Sequence, residues 1–530
     1  MTAYDVVDHF ADNPADGITW RAGGTSIQTQ IQHALTTRMH EAILLHESRH
    51  RTVHRIHLED ASDDARGTND VVIKIHRTAT GRHRLRETWK RRLGLSPTRR
   101  EWKALEELFD AGVSVPRPRA WGRLTNGDEI IVSDFIDGER VTDAGSEVVE
   151  ALASAIVKLH GSGYRHGDLH LGNLLAVDQR IVLLDLQRAR PQRNARDRLW
   201  DLSRLELSLA KAGWNSTARA ALRDRLDVGE DFGPILRRFL RDHQRGRARR
   251  VLRVGRNWST ARVGALRGLR EATLSEETLA QLVESCDRKH GRDPKADILE
   301  RRGGRVRLIE PRLKDSGDGE PPVLVKCIAA GSLRRALGDR LRGTAAARAF
   351  HAGQASGLLS NRAARPLAYL EERRLGLPVK SLLVLEKVGD EDLDRALPSS
   401  PGTEHRLARA LGEWLADGHA WGLSHRDLKA NNIRVSLGTD VIRFWLIDLE
   451  DLNGPTDISD KARLHALSQL NASLSDEAMS TESRLAALST YEARVPFALT
   501  EGSAAAVITR QSLARAHRWR GGGGENHPVR

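Results

Sequence analysis

The chain has 530 residues, 39% of them hydrophobic, and a formal charge of +13. At roughly 150 residues per domain this is enough for two to four separately packed domains. Its two cysteines, Cys286 and Cys327, exclude a disulfide framework and a cysteine-built zinc site, and fit a reducing compartment. The charge asks for anionic partners, but seventy-one arginines against thirteen lysines show a bias of the whole chain, so charge alone selects none.

Residues 1–40 carry weak helical patterning and are expected to be an N-terminal extension. Strand signal begins at Ala42–Leu45 and continues through Val53–Leu58 and Val71–Ile75, which together predict a small antiparallel sheet. Lys74 lies inside the last run, where lysine is disfavoured, in a chain that otherwise chooses arginine. A helix follows with clear punctuation: Ser96 as N-cap, Pro97 at the first position, Trp102, Leu105, Leu108 and Phe109 on one side, Gly112 as the stop. Glu101 lies beside that apolar side and is the expected partner of Lys74, with Glu106 and Glu107 as alternatives. The strand Glu129–Ser133, a hinge at Asp134–Gly138 and a helix from Val148 to His160 come next.

The stretch His166-Gly167-Asp168-Leu169-His170-Leu171-Gly172-Asn173 follows that helix, and a short apolar hairpin then leads to Asp185. The order recurs at His425-Arg426-Asp427-Leu428-Lys429-Ala430-Asn431-Asn432, followed by a hairpin to Asp448. The spacing has a chemical reason. A loop Asp orients and deprotonates an attacking hydroxyl, an Asn five residues on turns back to a metal ion, and an Asp after the next hairpin chelates the same metal. Asp and Asn also favour turns on local grounds, but the duplication argues against that simpler explanation.

Only fifteen residues separate Asp185 from Asp201, too few for a peptide-docking platform, so a small molecule or an exposed sugar is the expected acceptor. Between Pro234 and Arg270 there are twelve arginines and one acid, Asp242. The stretch is expected to be an arginine-coated helix pair packed on its domain, or a surface for anionic lipid. Nucleic acid is not expected, because stacking aromatics are scarce there.

A second unit starts near Ala296, and its strand Val323–Lys326 repeats the position of Lys74 with Lys326. Matching Pro118 to Pro366 puts Ala349 opposite Glu101, so Lys326 is expected to lack a partner. Ala466 stands where Asp201 stood, which is expected to leave the second loop less firmly held. The expected organisation is an extension over 1–40, a first domain over 41–285, a second over 296–515 and a flexible tail over 516–530.

On Lys74, Glu101, Asp168, Asn173 and Asp185, and again on Lys326, Asp427, Asn432 and Asp448, the chain resembles the protein-kinase-like superfamily. Within it the resemblance is to bacterial lipopolysaccharide kinases of the inner-core heptose and Kdo type. It implies an α+β fold of two protein-kinase-like bilobal domains in tandem, each with a β-rich lobe and a helical lobe. It also implies an ATP- and Mg2+-dependent kinase acting on a sugar hydroxyl of an envelope glycolipid. In that reading Asp168 and Asp427 are the catalytic bases, Asn173, Asp185, Asn432 and Asp448 bind metal, and Lys74, Glu101 and Lys326 serve the nucleotide. The form His166-Gly167-Asp168 also occurs in aminoglycoside and choline-type phosphotransferases, so a protein or small-molecule acceptor stays open, as does a nucleotide-binding scaffold without activity. Departures are the missing glycine-rich loops, around Glu47–Arg51 and at Gly303-Gly304, and the residues Leu186-Gln187 and Leu449-Glu450 after the metal aspartates. No leader or stretch of membrane-spanning length is visible, so the chain is expected in the cytoplasm, with peripheral contact at the inner face of the membrane as an extension.

Overall fold

A computed structural model describes residues 17–48, 51–58, 69–77, 96–142, 145–251, 254–255, 257–287, 296–302, 306–311, 322–355, 363–397, 403–438, 441–500, 502–515, 518–520 and 526–528. Arg49 and His50, the Gly303-Gly304 pair and the tail glycines Gly521–Gly524 lie outside them. The chain divides into two compact units, Met1–Ile235 and Leu236–Arg530.

The first unit is built on a six-stranded antiparallel sheet. Its strands are β1 (Thr19–Ala22), β2 (Ile43–Ser48), β3 (Arg51–His57), β4 (Asp70–His76), β5 (Pro118–Arg123) and β6 (Glu129–Asp134), in the order β1-β5-β6-β4-β3-β2. One sheet face packs on helix α1 (Thr25–Thr37) through Ile31, Ala34 and Leu35, against Val71, Ile73 and Ile130. The segment expected to be a separate extension therefore carries an edge strand and a core helix of this sheet, because its apolar stripe is needed to close that face.

Helix α2 (Pro97–Asp110) starts as its sequence directs: the Ser96 side chain accepts the backbone N–H of Arg99, and Pro97 occupies the first turn. Trp102, Leu105 and Leu108 are buried, whereas Phe109 is exposed. The helical part follows with α3 (Ser146–Gly161), β8 (Tyr164–Arg165) after the short β7 (Glu139–Arg140), the hairpin β9 (Leu174–Val177) and β10 (Arg180–Leu183), β11 (Arg190–Pro191), α4 (Ala195–Lys211) and α5 (Ser216–Arg225).

The second unit repeats this plan with one strand more. After α6 (Phe232–Val251) come β12 (Trp258–Val263), β13 (Leu266–Glu271), α7 (Glu276–Asp287), β14 (Ala296–Arg302), β15 (Val306–Pro311), β16 (Val323–Ala329), α8 (Leu333–Arg342), α9 (Ala345–Ala355), β17 (Pro366–Arg374) and β18 (Leu377–Glu386). The sheet order is β12-β13-β17-β18-β16-β15-β14, which is the first sheet's β1-β5-β6-β4-β3-β2 with β12 added at the edge. Register repeats as well: Lys74 lies across from Ile131, and Lys326 across from Leu383.

Residues 258–287 are thus the second unit's counterpart of β1 and α1. Gly268 faces Leu370 in the β13–β17 ladder, and a Cβ there would stand 1.9 Å from the Tyr369 carbonyl oxygen, so only glycine admits this pairing. Helix α7 buries Leu279, Leu282 and Val283 against Val325 and Leu382. The expected first domain, 41–285, therefore runs into the second unit, whose first two strands are arginine-rich and lack a dense β-branched run. The same pairing corrects the expected helix pair: the arginine-rich stretch is one helix, α6, followed by a hairpin. Leu236, Phe239 and Leu240 of α6 are buried, and Arg237 pairs with Asp457 at 2.7 Å.

Packing of α7 on β16 also brings Cys286 and Cys327 to a Cα separation of 6.5 Å, where they are joined in a disulfide, against the expectation that two cysteines fit a reducing compartment. The second unit ends with β19 (Glu391–Asp392), α10 (Leu393–Ala396), α11 (Glu404–Ala420), β20 (Ser424–His425), β21 (Ile433–Leu437), β22 (Ile442–Leu446), β23 (Leu452–Asn453), α12 (Asp460–Ser473), α13 (Thr481–Glu492) and α14 (Ala504–Leu513). Among the described residues no helix is long and apolar enough to cross a membrane.

Candidate active site

In the first unit Lys74 Nζ donates to Glu101 Oε1 at 2.7 Å, and His76 Nε2 lies 3.4 Å from the other carboxylate oxygen. Strand β4 and helix α2 position the two partners, so the assignment among three acids falls to Glu101, which is buried. Burial by itself would push its carboxyl up; Lys74 and His76 outweigh it and hold the group ionised far below the usual carboxylate range.

Asp168 follows Gly167, whose φ of +75° and contact with the Arg188 carbonyl leave no room for a Cβ. The loop is fixed from below. The buried carboxylate of Asp201 accepts the backbone N–H of His166 at 2.6 Å and of Gly167 at 2.8 Å, and Ser208 Oγ accepts that of Leu171 at 3.0 Å. His166 is fully buried, donates from Nε2 to the Leu184 carbonyl at 3.0 Å, and has its imidazole pushed towards the neutral form by that burial. The Asp168 side chain itself is partly exposed and meets Arg204 Nη1 at 2.6 Å.

Asn173 donates its Nδ2 to the Asp168 carbonyl oxygen at 3.0 Å, which leaves Oδ1 as a ligand oxygen. Asp185 sits at φ +56°, ψ +64°, a left-handed conformation that Asp tolerates better than most residues. Its carboxylate is bidentate with the Arg51 guanidinium, at 3.2 and 3.0 Å. Burial pushes its carboxyl pKa up less than Arg51 and the nearby Lys74 pull it down, so it stays ionised. An ionised Asp already holding a cation, beside an Asn with a free oxygen, fits Mg2+, which takes one or two protein oxygens and leaves the rest to water and phosphate. Among the described residues no three His, Cys, Asp or Glu side chains group into a self-sufficient metal site.

The second unit keeps the frame and rewires the charges. Asn432 donates to the Asp427 carbonyl oxygen at 2.8 Å, Asp448 is left-handed at φ +68°, ψ +54°, and Ser473 Oγ accepts the N–H of Ala430 at 2.8 Å, as Ser208 does for Leu171. Ala349 is buried against an aromatic cluster of Trp258, Phe350 and Tyr369. Lys326 is nevertheless not left alone, which corrects the expectation. It pairs with Asp448 and with Glu450 Oε1, the latter at 2.9 Å. Burial would favour the neutral amine, but these two carboxylates overcome it and hold the lysine charged. The second loop is also better held than expected: one turn beyond Ala466, Gln469 Nε2 donates to the Arg426 carbonyl at 3.1 Å, and the Arg426 N–H donates to the Asp451 carbonyl at 3.0 Å. Asp427 pairs with Lys429 at 2.8 Å. The second unit also holds a cavity of about 1030 Å3, bordered by Leu308, Leu385, Lys387, Val388 and the pair Lys326–Asp448.

Sequence reasoning missed Arg51, Glu450, Arg204 and Ser208. Glu450 was visible as an acid two residues after a metal aspartate; Arg51 and Arg204 were hidden among seventy-one arginines.

The sequence model of the lipopolysaccharide kinase (Kdo/WaaP) family matches residues 39–224 and 334–491, more than half the chain and one segment in each unit. The chain belongs to the lipopolysaccharide kinase family. The second match begins beyond Lys326, whereas the first contains Lys74. A 3-deoxy-D-manno-octulosonic acid kinase of Vibrio vulnificus is 26% identical over 136 residues, 23% of this chain and 57% of that protein. The match therefore spans little more than half of the curated relative's length. Among solved structures, WaaP in complex with acyl carrier protein is 21% identical (40% of this chain, 86% of that one, TM-score 0.28). An amicoumacin kinase in complex with AMP-PNP and Ca2+ is 13% identical (47% and 87%, TM-score 0.33).

The buried pair of this family member is open to a direct test. Glu101→Gln leaves Lys74 charged beside a neutral amide, and the expected cost is roughly 3–5 kcal/mol, read from denaturant unfolding of the first unit. Because the folded-state pKa of Glu101 is depressed from its ordinary 4.5, the contribution should be complete above that value and fall away as pH drops below it. The gap between wild type and variant should accordingly be flat from neutral pH to about 5 and then narrow; a gap that widens on acidification contradicts the pairing.

Proposed function

We propose that the chain is an ATP-dependent phosphotransferase that moves the γ-phosphoryl group to a sugar hydroxyl of a lipopolysaccharide-type envelope glycolipid or its precursor. The observation that carries this reading is the buried Lys74–Glu101 pair alongside an ionised Asp185 and a loop carboxylate, Asp168. Family membership, and the sugar acid in the name of the Vibrio relative, support a sugar acceptor over a protein or a small cytosolic alcohol.

In this reading Asp168 accepts the acceptor hydroxyl's proton, and its geometry is set by the loop that Asp201 and Ser208 hold. Lys74, oriented by Glu101, holds the nucleotide phosphates. Asn173 and Asp185 would hold Mg2+, which would supply charge neutralisation at the phosphates. Arg51, whose guanidinium pairs with Asp185 in this structure, also has the fork geometry that matches a phosphate edge. Positioning and charge neutralisation then supply the rate, with no covalent intermediate.

The second unit takes an auxiliary, nucleotide-holding role in the same reading. Its cavity is well formed, but Lys326 lies on the metal aspartate itself, so metal and lysine compete for one carboxylate.

Asp168→Asn is expected to lower transfer at least a hundredfold, the lower range for removing a general base, with the unfolding midpoint unchanged. Mass spectrometry of envelope glycolipids from cells with the wild-type chain or the variant should show a difference of one phosphate. Identical spectra would sink the acceptor class; wild-type turnover in the variant would sink Asp168 as the base.

Exposed Arg238, Arg245 and Arg249 on α6 extend the reading to peripheral contact with an anionic membrane, at about 1 kcal/mol per basic residue. Replacing all three by alanine should cut salt-sensitive cosedimentation with phosphatidylserine vesicles. No cosedimentation of the wild type returns the helix to a packing role alone.

A further inference from the structure

A second basic cavity adjoins the catalytic loop of the first unit. It measures about 300 Å3, near the lower end of the range for small-molecule sites of about 300–1,000 Å3, and four arginines line it: Arg100, Arg165, Arg188 and Arg190, with Trp200 and Gly167. No acid is among the lining residues. The four come from four elements: Arg100 from α2, Arg165 from β8, Arg188 from the turn after Asp185, Arg190 from β11.

Two features make this more than a solvated charge cluster. Arg190 and Arg165 lie directly opposite each other in the β8–β11 ladder, an arrangement of like charges that destabilises a strand pair unless an anion sits between them. Arg165 is also about nine-tenths buried; its Nη1 donates to Asp197 at 2.7 Å, but its Nε is buried with no partner among the described residues. A buried guanidinium N–H without an acceptor is costly, and a bound oxyanion would offset the repulsion between the facing arginines. Arg100, Arg188 and Arg190 are exposed enough to receive it from solvent.

The second unit lacks arginine at three of the four equivalent positions. In the equivalent ladder Ser424 faces Asn453, and three residues beyond the metal aspartate, where the first unit has Arg188, it has Asp451. At these positions the arginines stand in the first unit, beside its loop acid: Arg188 Nη1 lies 3.7 Å from Asp168 Oδ2.

We propose that this cavity is an oxyanion subsite that binds a phosphate or carboxylate carried by the acceptor itself, and so selects an acidic or already phosphorylated sugar. The proposal rests on the reading of the first unit as a phosphotransferase and names its acceptor class more closely. Arg100 and Arg190 act as positioning residues: they fix the anion, and the anion fixes the distance from the acceptor hydroxyl to Asp168. A guanidinium fork suits either oxyanion because both offer paired oxygens.

The test separates the site from the activity. Inorganic phosphate is titrated calorimetrically into full-length protein saturated with Mg–AMP-PNP, so that the nucleotide pocket is filled. Wild type should bind one phosphate, and Arg100→Ala with Arg190→Ala should weaken binding by about tenfold per arginine, while Arg100→Lys with Arg190→Lys recovers part of it. No phosphate binding in wild type, or equal binding in the alanine variant, overturns the site. In transfer assays with extracted envelope glycolipid, the alanine variant should raise the acceptor KM and leave the ATP KM unchanged, and phosphate should compete with acceptor. Phosphate inhibition that is not competitive with acceptor identifies free phosphate as the occupant and overturns the acceptor assignment. Phosphate binding lost in the variant, with no transfer by wild type, leaves the oxyanion site standing and removes the phosphotransferase reading, with the acceptor assignment that depends on it.

Discussion

A lysine placed on a central strand of a buried sheet must find a carboxylate, and how each unit meets that demand shapes the rest of its pocket. In the first unit a helix supplies Glu101, so Lys74 is tied to a residue away from the Asp185 turn and Asp185 is left to a guanidinium. In the second unit the equivalent helix position is a buried alanine packed on aromatic rings. The demand is met from the metal loop instead, by Asp448 and Glu450. A buried ammonium without a partner would shed its charge; the exchange of partners preserves the charge and the sheet, and alters what the carboxylates can still bind.

What is shared by the two units is backbone, and what differs is charge. Asp185 and Asp448 are both left-handed, both asparagines close the loop onto the carbonyl of the loop acid, and both loops hang from a helix serine. The repeated part of the sheet runs from the edge strand β1, or from β13 beside the added edge strand β12, through the five strands that follow, and each copy carries its own core helix, α1 or α7. Duplication of that whole block, followed by divergence of the side chains facing the pocket, accounts for two similar frames with different electrostatics.

Much of this was legible in the sequence because the informative residues are scarce or conformationally special. Two lysines among so many arginines, a Ser-Pro helix start and a repeated Asp-x4-Asn spacing each have a local physical cause, and each gave the right element. Legibility failed where partners are chosen by tertiary packing. Glu450 lies close to Lys326 only because the left-handed Asp448 turns the chain back, and Gln469 reaches the second loop only because α12 presents it one turn beyond Ala466. The edge hairpin β12–β13 was hidden by its arginines, whose polar alternation reads as a solvated helix until Gly268 is seen against Tyr369. Arg51 and the arginine cavity were invisible for the related reason that arginine is this chain's default.

The central claim is that one unit transfers phosphate and the other supports it, and the two lysines test it most directly. Phosphate transfer from ATP to extracted envelope glycolipid, measured side by side for Lys74→Met and Lys326→Met in the full-length chain, is predicted to fall at least a hundredfold in the first, as displacement of the phosphates implies, and only modestly in the second. A greater loss in Lys326→Met than in Lys74→Met would contradict the account and make the second unit the active one.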